Sequence, residues 1–142
     1  MWPCYPGASY KGRGPSNFPG RNFNYGPAGK DLGLDLLRNP GIVANDSLVA
    51  FETALWFWMT PSKPKPSCHQ VMVGKYRPNR SDLAENRTSG FGLVTNIVNG
   101  GLECGIPDDP RVNDRIGFFR RYAKLLGVDT GPNLDCAHQK PY

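Results

Sequence analysis

The sequence predicts a mainly α-helical fold with long Gly/Pro-rich loops, and three observations carry that prediction. Apolar residues recur at helical spacing in the segments 91–98 and 112–126, and a capped run over 49–59 is apolar almost all round. Residues able to cap a helix stand ahead of several helical segments, and Pro or Gly follows the long ones. The 17 glycines and 14 prolines among the 142 residues follow no period, which excludes collagen-like and solenoid repeats and leaves long irregular connections.

Residues 1 to about 29 are dominated by Gly, Pro, Asn and aromatics and read as turns and extended loops. Leu32 to Leu37 reads as one or two helical turns closed by Asn39-Pro40. Asp46 or Ser47 can cap the next helix, which carries Val49, Phe51, Ala54, Leu55, Trp56, Phe57 and Met59 and stops at Pro61. Its apolar side chains lie almost all round, which predicts a central helix packed on every side. Pro61 to Pro66 is then a stiff, exposed loop. Ser67 can cap a short helix through Val73, and Ser81 another whose Asp82 and Glu85 share a solvated face. Phe91, Val94, Ile97 and Val98 predict a helix from about Gly90 to Asn99, with Gly100 and Gly101 as its terminus. Val112, Ile116, Phe119 and Leu126 predict an amphipathic helix ending at Gly127, with Arg111, Arg120, Arg121 and Lys124 on its other faces. Val128 to Tyr142 lacks periodicity and is expected to wrap the surface, held by Cys136.

A composition of 39% hydrophobic and 20% charged residues suits one domain over 1–142. The net charge of +5 is spread among twelve acids without a dense Lys/Arg run, so no nucleic-acid partner is predicted. No stretch reaches the ~20 apolar residues that span a bilayer, and the start Met1-Trp2-Pro3-Cys4 lacks the apolar core of a signal peptide. None of the four cysteines forms a Cys-x-x-Cys pair, and His69 and His138 stand alone, so no metal and no cofactor is implied. That usage favours secretion and disulfides, with which the sequons at Asn45, Asn79 and Asn86 are compatible. A bridge between Cys104 and Cys136 would close a loop of about thirty residues, worth roughly 3–4 kcal/mol; the alternative is two buried free thiols. Cys4 and Cys68 either pair with each other, or Cys4 has lost a partner that lay upstream of Met1.

The segment from Thr95 to Cys104 reads as a helix end remodelled for a site: an apolar run stops at paired glycines and then presents Glu103 and Cys104, with Arg115 beyond. Further ordered motifs accompany it. They are Trp2-Pro3-Cys4, Tyr10 to Pro15, Asn22 to Gly29, Thr53 to Pro61, Lys65-Pro66-Ser67, Gly90 to Cys104, Arg111 to Tyr122 and Asn133 to Cys136. In this order the chain resembles plant chitinases of glycoside hydrolase family 19, the class I/II type endochitinases, over the C-terminal two-thirds of their catalytic domain. The resemblance implies a mainly α, lysozyme-like chitinase fold incomplete at its N-terminus. It also implies a chitin cleft, inverting endo-hydrolysis, a defence role in plants and an extracellular or vacuolar location.

The resemblance further implies which residues matter. Both catalytic glutamates of the family lie upstream of the region matching Trp2, so no catalytic residue is assigned here. Glu52, Asp82, Glu85, Asp108, Asp109, Asp129 and Asp135 are not flanked as a catalytic acid would be. In the loop Ser16 to Arg21, one residue longer than in the family, Asn17 takes the place of an amide donor. The water-holding Ser of the family falls on Pro19 or Gly20, which have no hydroxyl. Trp2, Asn24, Lys65, Asn99 and Arg115 match positions that line the cleft, and Glu103 with Arg115 matches a pair that braces the catalytic acid. The implied partners are chitin or N-acetylglucosamine oligosaccharides, with self-association through apolar surface that a missing lobe would cover. The residues alone also allow blander roles: Asn24 and Asn99 as helix caps, Glu103 with Arg115 as an ordinary salt bridge, and Trp56 and Trp58 as core. Trp2 and Tyr5 are then the better stacking platforms. The alternative function is a non-catalytic defence, storage or carbohydrate-interaction protein on the same scaffold.

Overall fold

A computed structural model describes residues 2–14 and 18–142. Among the described residues there are seven helices: α1 (Asn22–Leu32), α2 (Ile42–Asn45), α3 (Ser47–Met59), α4 (Cys68–Met72), α5 (Arg80–Ala84), α6 (Phe91–Glu103) and α7 (Pro110–Leu126). They fall into two compact units, one reaching to Thr60 and the other Pro61–Tyr142. The mainly helical class is thus as expected; several elements are not.

In the first unit, α1 occupies a stretch that composition assigns to loops. Pro27 lies inside it, and Gly26 and Gly29 are poor helix formers. Packing overrides propensity. Tyr25 and Ala28 are fully buried, and a Cβ on Gly26 would sit 2.5 Å from the Trp2 ring, so only glycine lets the indole lie against the helix. The helix ends at Gly33 in the left-handed conformation, and the expected turns over Leu32 to Leu37 are replaced by an irregular connection that buries Leu36.

Asp46 caps α3, its Oδ1 accepting from the N–H groups of Leu48 (2.9 Å) and Val49 (3.2 Å). The expectation that α3 is buried on every side is wrong. Only Val49, Ala50 and Thr53 are buried, and Val49 joins Tyr25 and Ala28 of α1 and Val43 of α2 in one core. Leu48, Phe51, Leu55, Trp58 and Met59 are 36–66% exposed. The core of this unit gathers Phe18, Tyr25, Leu36, Val43 and Val49, with Phe18 edge-on to Tyr25 at 5.1 Å between centroids.

In the second unit Ser67 caps α4 through a reciprocal box with Gln70. Asn79, not Ser81, caps α5 by the same device with Asp82. Asp82 is therefore buried rather than solvated, held by the Asn79 N–H and by Arg87. The helix α6 does not stop at Gly100: it kinks at Asn99 (φ −150°, ψ 30°) and runs on to Glu103. Gly100 serves a different purpose, since a Cβ there would overlap the Asn96 side chain. Asp109 caps α7, which ends at a left-handed Gly127. Its buried stripe is Val112, Ile116 and Ala123; Leu126, expected on that stripe, is exposed. Phe119 stacks on Phe91 at 4.0 Å.

The tail lies along α6. Cys136 bridges to Cys104, and both sulfurs pack with Val112, Ile116, Phe91 and Leu134. Cys4 and Cys68 do not pair; Cys4 is exposed and Cys68 buried, and burial pushes the Cys68 thiol up to about 11. The Gly92 N–H donates to the Asn133 carbonyl at 2.9 Å, an approach so close that a Cβ on Gly92 would overlap the Asp135 backbone. Gly117, in contrast, has open space around it on an exposed part of α7. We expect Gly92→Ala to lower stability by about 1–3 kcal/mol through overpacking, and Gly117→Ala to raise it by about 0.5–1 kcal/mol through helix propensity. Urea denaturation of both variants reads this; equal midpoints would contradict the packing of the tail on α6.

Candidate functional site

The second unit brings together four of the residues singled out from the sequence. Glu103 closes α6 and is almost fully buried. Its Oε1 accepts from Asn99 Nδ2 at 2.6 Å, and Arg115 Nη2 donates to both carboxylate oxygens at 2.9 and 2.8 Å. The kink at Asn99 turns its amide back onto Glu103, one helical turn ahead, so Asn99 supports the end of α6 rather than capping it. Arg115 comes from the second turn of α7, and its Nε is buried without a hydrogen-bond partner. Thr95 Oγ1 is the other buried side-chain atom left so among the described residues. Nη2 thus serves Glu103, and because the Arg115 side chain is 37% exposed, the rest of its guanidinium can donate to an oxygen that enters from solvent.

A cavity of about 370 Å³ opens at this pair, lined by Glu103, Arg111, Asp114, Arg115 and Phe118. Arg111 also faces Asp109, with Nε to Oδ1 at 3.0 Å and Nη2 to Oδ2 at 2.6 Å. That guanidinium holds the Asp109 carboxyl down at about 2, so Asp109 stays ionised and has no proton to donate at neutral pH. Glu103 has three of its roughly four lone-pair sites filled. Asp82 and Glu85 are bound to Arg87, and Asp129 and Asp135 each accept from a backbone N–H two residues on.

Lys65 ends at the same turn of α6. Its Nζ donates to the Ile97 carbonyl at 3.0 Å and lies 5.8 Å from the centre of the Tyr142 ring. The reading of the sequence missed what surrounds it. Asn96 is fully buried; its Nδ2 donates to Gln139 Oε1 and the Lys140 carbonyl, each at 3.1 Å, and its Oδ1 accepts from the Tyr142 N–H at 3.2 Å. Arg87 donates to the Lys140 and Pro141 carbonyls, each at 2.9 Å, and stands 4.1 Å over the Tyr142 ring. The available signal was an amide in the middle of an apolar helix face, which needs a buried partner.

In the first unit, Asn24 on α1 donates to the carbonyls of Pro19 (3.1 Å) and Gly20 (3.0 Å), tying the loop before α1 to the helix. Trp2 packs on Gly26, its carbonyl accepting from Asn22, and borders a second cavity of about 370 Å³ with Lys30, Leu34 and Asp35. The Tyr5 ring carries the Arg38 guanidinium at 5.1 Å. Trp56 donates to Asp31 Oδ2 at 2.8 Å, and Trp58, expected in the core, is exposed. Asn17 lies outside the described residues. No helix is long and apolar enough to cross a membrane among the described residues.

Comparison with known proteins agrees with these motifs. The sequence profile of glycoside hydrolase family 19, described as chitinase class I, matches residues 1–136. Chitinase 10 of Oryza sativa subsp. japonica is 71% identical over 142 residues, all of this chain and 49% of its own length. Endochitinase 2 of Solanum tuberosum is 57% identical over all of this chain and 45% of its own length. The chain thus spans about half the length of these relatives. Among solved structures, a class IV family 19 chitinase from Zea mays superposes with a TM-score of 0.73 at 40% identity, covering 96% of this chain and 56% of that one. Chitinase C from Streptomyces griseus HUT6037 superposes with a TM-score of 0.71 at 37% identity, covering 90% of this chain and 46% of that one. The helical fold is accordingly the lysozyme-like chitinase fold that the motifs imply, and the chain belongs to glycoside hydrolase family 19, the class I chitinases.

Proposed function

We propose that these 142 residues, a part of one chitinase-type domain, bind chitin-type N-acetylglucosamine oligosaccharides and do not by themselves hydrolyse them. The observation that carries this reading is the Asn99–Glu103–Arg115 cluster beside an open cavity, with Arg115 Nε buried and unsatisfied. Amides and cations set in a concave surface are the groups that bond sugar hydroxyls and acetamido carbonyls. The resemblance to family 19 chitinases assigns Lys65, Asn99 and Arg115 of the second unit, and Trp2 and Asn24 of the first, to such a surface.

Inverting hydrolysis needs one protonated carboxyl and one carboxylate about 6.5–9.5 Å apart across the scissile bond. Glu103 is engaged by Asn99 and Arg115, Asp109 is held ionised, and Asp82 and Glu85 are locked to Arg87. We assign none of them as acid or base. Glu103 with Arg115 instead serves as a brace, and a longer protein carrying these residues would draw its acid and base from outside them. From the resemblance to plant chitinases we infer a role in plant defence and an extracellular or vacuolar location.

Calorimetric titration with the N-acetylglucosamine tetramer, beside a reducing-sugar assay on one preparation, tests the reading. We expect weak saturable binding that barely responds to salt, and turnover at least about 10³-fold below a full-length relative, the scale of lost acid–base catalysis. Turnover matching that relative sinks the non-hydrolysing part. Absent sugar binding, or affinity for an anionic ligand that collapses with salt, favours a different interaction protein on this scaffold.

We infer in addition that the isolated chain self-associates through α3. Leu48, Phe51, Leu55 and Trp58 recur at i, i+3, i+7 and i+10, the spacing of a helix–helix seam, and all are exposed. With Met59 they present on the order of 500 Å² of apolar surface in one patch, large for a monomer. Two such faces reach the roughly 1,000 Å² of a specific interface. Sedimentation velocity is expected to show a concentration-dependent dimer that Leu55→Glu abolishes. A monomer at every concentration would rule the association out.

A further inference from the structure

We propose that Asn86 is the acceptor for an N-linked glycan, its side-chain nitrogen taking the oligosaccharide of a lipid-linked donor; the proposal rests on the extracellular or vacuolar location inferred above. The chain carries three Asn-x-Ser/Thr sequons, Asn45-Asp46-Ser47, Asn79-Arg80-Ser81 and Asn86-Arg87-Thr88. Transfer reads the amide together with the hydroxyl two residues on, and the glycan must then stand in solvent, so an acceptor belongs in a surface loop. The three sequons differ in this respect. Asn45 is the last residue of α2 and Ser47 the first of α3, so the first sequon is spent on helix ends. Asn79 caps α5, and Ser81 lies inside that helix. The Asn79 Oδ1 accepts from the Asp82 N–H at 3.0 Å, in the box that sets buried Asp82 against Arg87. An amide turned outward to carry a glycan would break that box.

Of the three, Asn86-Arg87-Thr88 alone lies wholly outside the helices. Asn86 sits in the turn that ends α5 with φ 55°, a left-handed conformation that Asn tolerates better than most residues. Its N–H donates to the Leu83 carbonyl at 3.2 Å, and the Thr88 N–H donates back to the Asn86 carbonyl at 3.0 Å. Asn86 and Thr88 are exposed, whereas Arg87 between them is buried. Arg87 is held from the inside by Asp82 and Glu85 and by the carbonyls of Lys140 and Pro141. The middle residue of the sequon is thus an anchor that leaves both recognition groups on the outside of a fixed turn. The Asn86 side-chain amide has no hydrogen-bond partner among the described residues, so a glycan there displaces no contact of the fold. In the transfer, Nδ2 bonds to C1 of the donor's first N-acetylglucosamine as the C1–O bond to pyrophosphate breaks. The amide proton passes to a base of the transferase, the pyrophosphate leaves on its lipid, and nothing is oxidised or reduced.

The test brings the intact chain into the secretory lumen of plant cells on a cleavable leader, beside Asn86→Gln, Thr88→Ala, Thr88→Ser, Asn45→Gln and Asn79→Gln. Occupancy of each sequon is read by peptide mass spectrometry after enzymatic release in ¹⁸O water, which marks every formerly glycosylated Asn as a heavy Asp. The intact chain is expected to carry the mark on Asn86, and Asn86→Gln and Thr88→Ala are expected to lose the glycan. Thr88→Ala alters only an exposed side chain, so it decides the matter even if glutamine is strained at φ 55°. Thr88→Ser keeps the hydroxyl and should keep the glycan, as should Asn45→Gln and Asn79→Gln. An unmarked Asn86 in secreted chain whose Cys104–Cys136 bridge has formed, or a glycan carried mainly at Asn45 or Asn79, would overturn the proposal. The leader separates the two readings. Chain that is glycosylated by this route but unmarked when purified from its source tissue keeps Asn86 as an acceptor and refutes the extracellular or vacuolar location instead.

Discussion

A polar group buried on α6 has to be paired, and that constraint organises the second unit. Glu103 at the end of the helix cannot shed its charge into water, so α7 must lie where Arg115 reaches it with a two-oxygen fork. Asn96, two turns earlier, cannot leave its amide empty, so the tail must run where Gln139, Lys140 and Tyr142 satisfy it. Removing either partner would strand a buried polar group, which is costlier than the net worth of the bond itself. The disulfide between Cys104 and Cys136 fastens the same two elements where the polar pairing ends.

The glycines of this chain follow from the same packing. Gly92 lets the tail backbone onto the first turn of α6, Gly100 clears space for Asn96, and Gly26 lets Trp2 lie on α1. Each is a position where backbone meets a neighbour too closely for a Cβ. Helix propensity is given up there in exchange for a close contact with the tail, with the Asn96 side chain or with the Trp2 ring.

Legibility of the sequence divided along physical lines. Local signals were readable: Asp46, Ser67 and Gly127 act at the helix ends where their types belong. Signals that depend on tertiary contact were not. Pro27 and two glycines hide α1, because its stability comes from buried Tyr25 and Ala28 rather than propensity. The all-round apolar pattern of α3 says which residues could be buried, not which side the chain covers. At the site, Glu103 and Arg115 were legible as a pair through the family motifs. The clamp of Asn96 on the tail pairs residues more than forty positions apart, and its one local trace is an amide in the middle of an apolar helix face.

The central claim is that the kinked end of α6, with Lys65 and Arg115, forms a sugar-binding surface held by buried polar pairs. Amide chemical-shift mapping of the ¹⁵N-labelled chain against the N-acetylglucosamine trimer tests it most directly. The account predicts saturable shifts at Lys65, Ile97 to Asn99, Glu103 and Arg115, with α5 unaffected. Saturable shifts confined to other parts of the chain, or none at all, would contradict it.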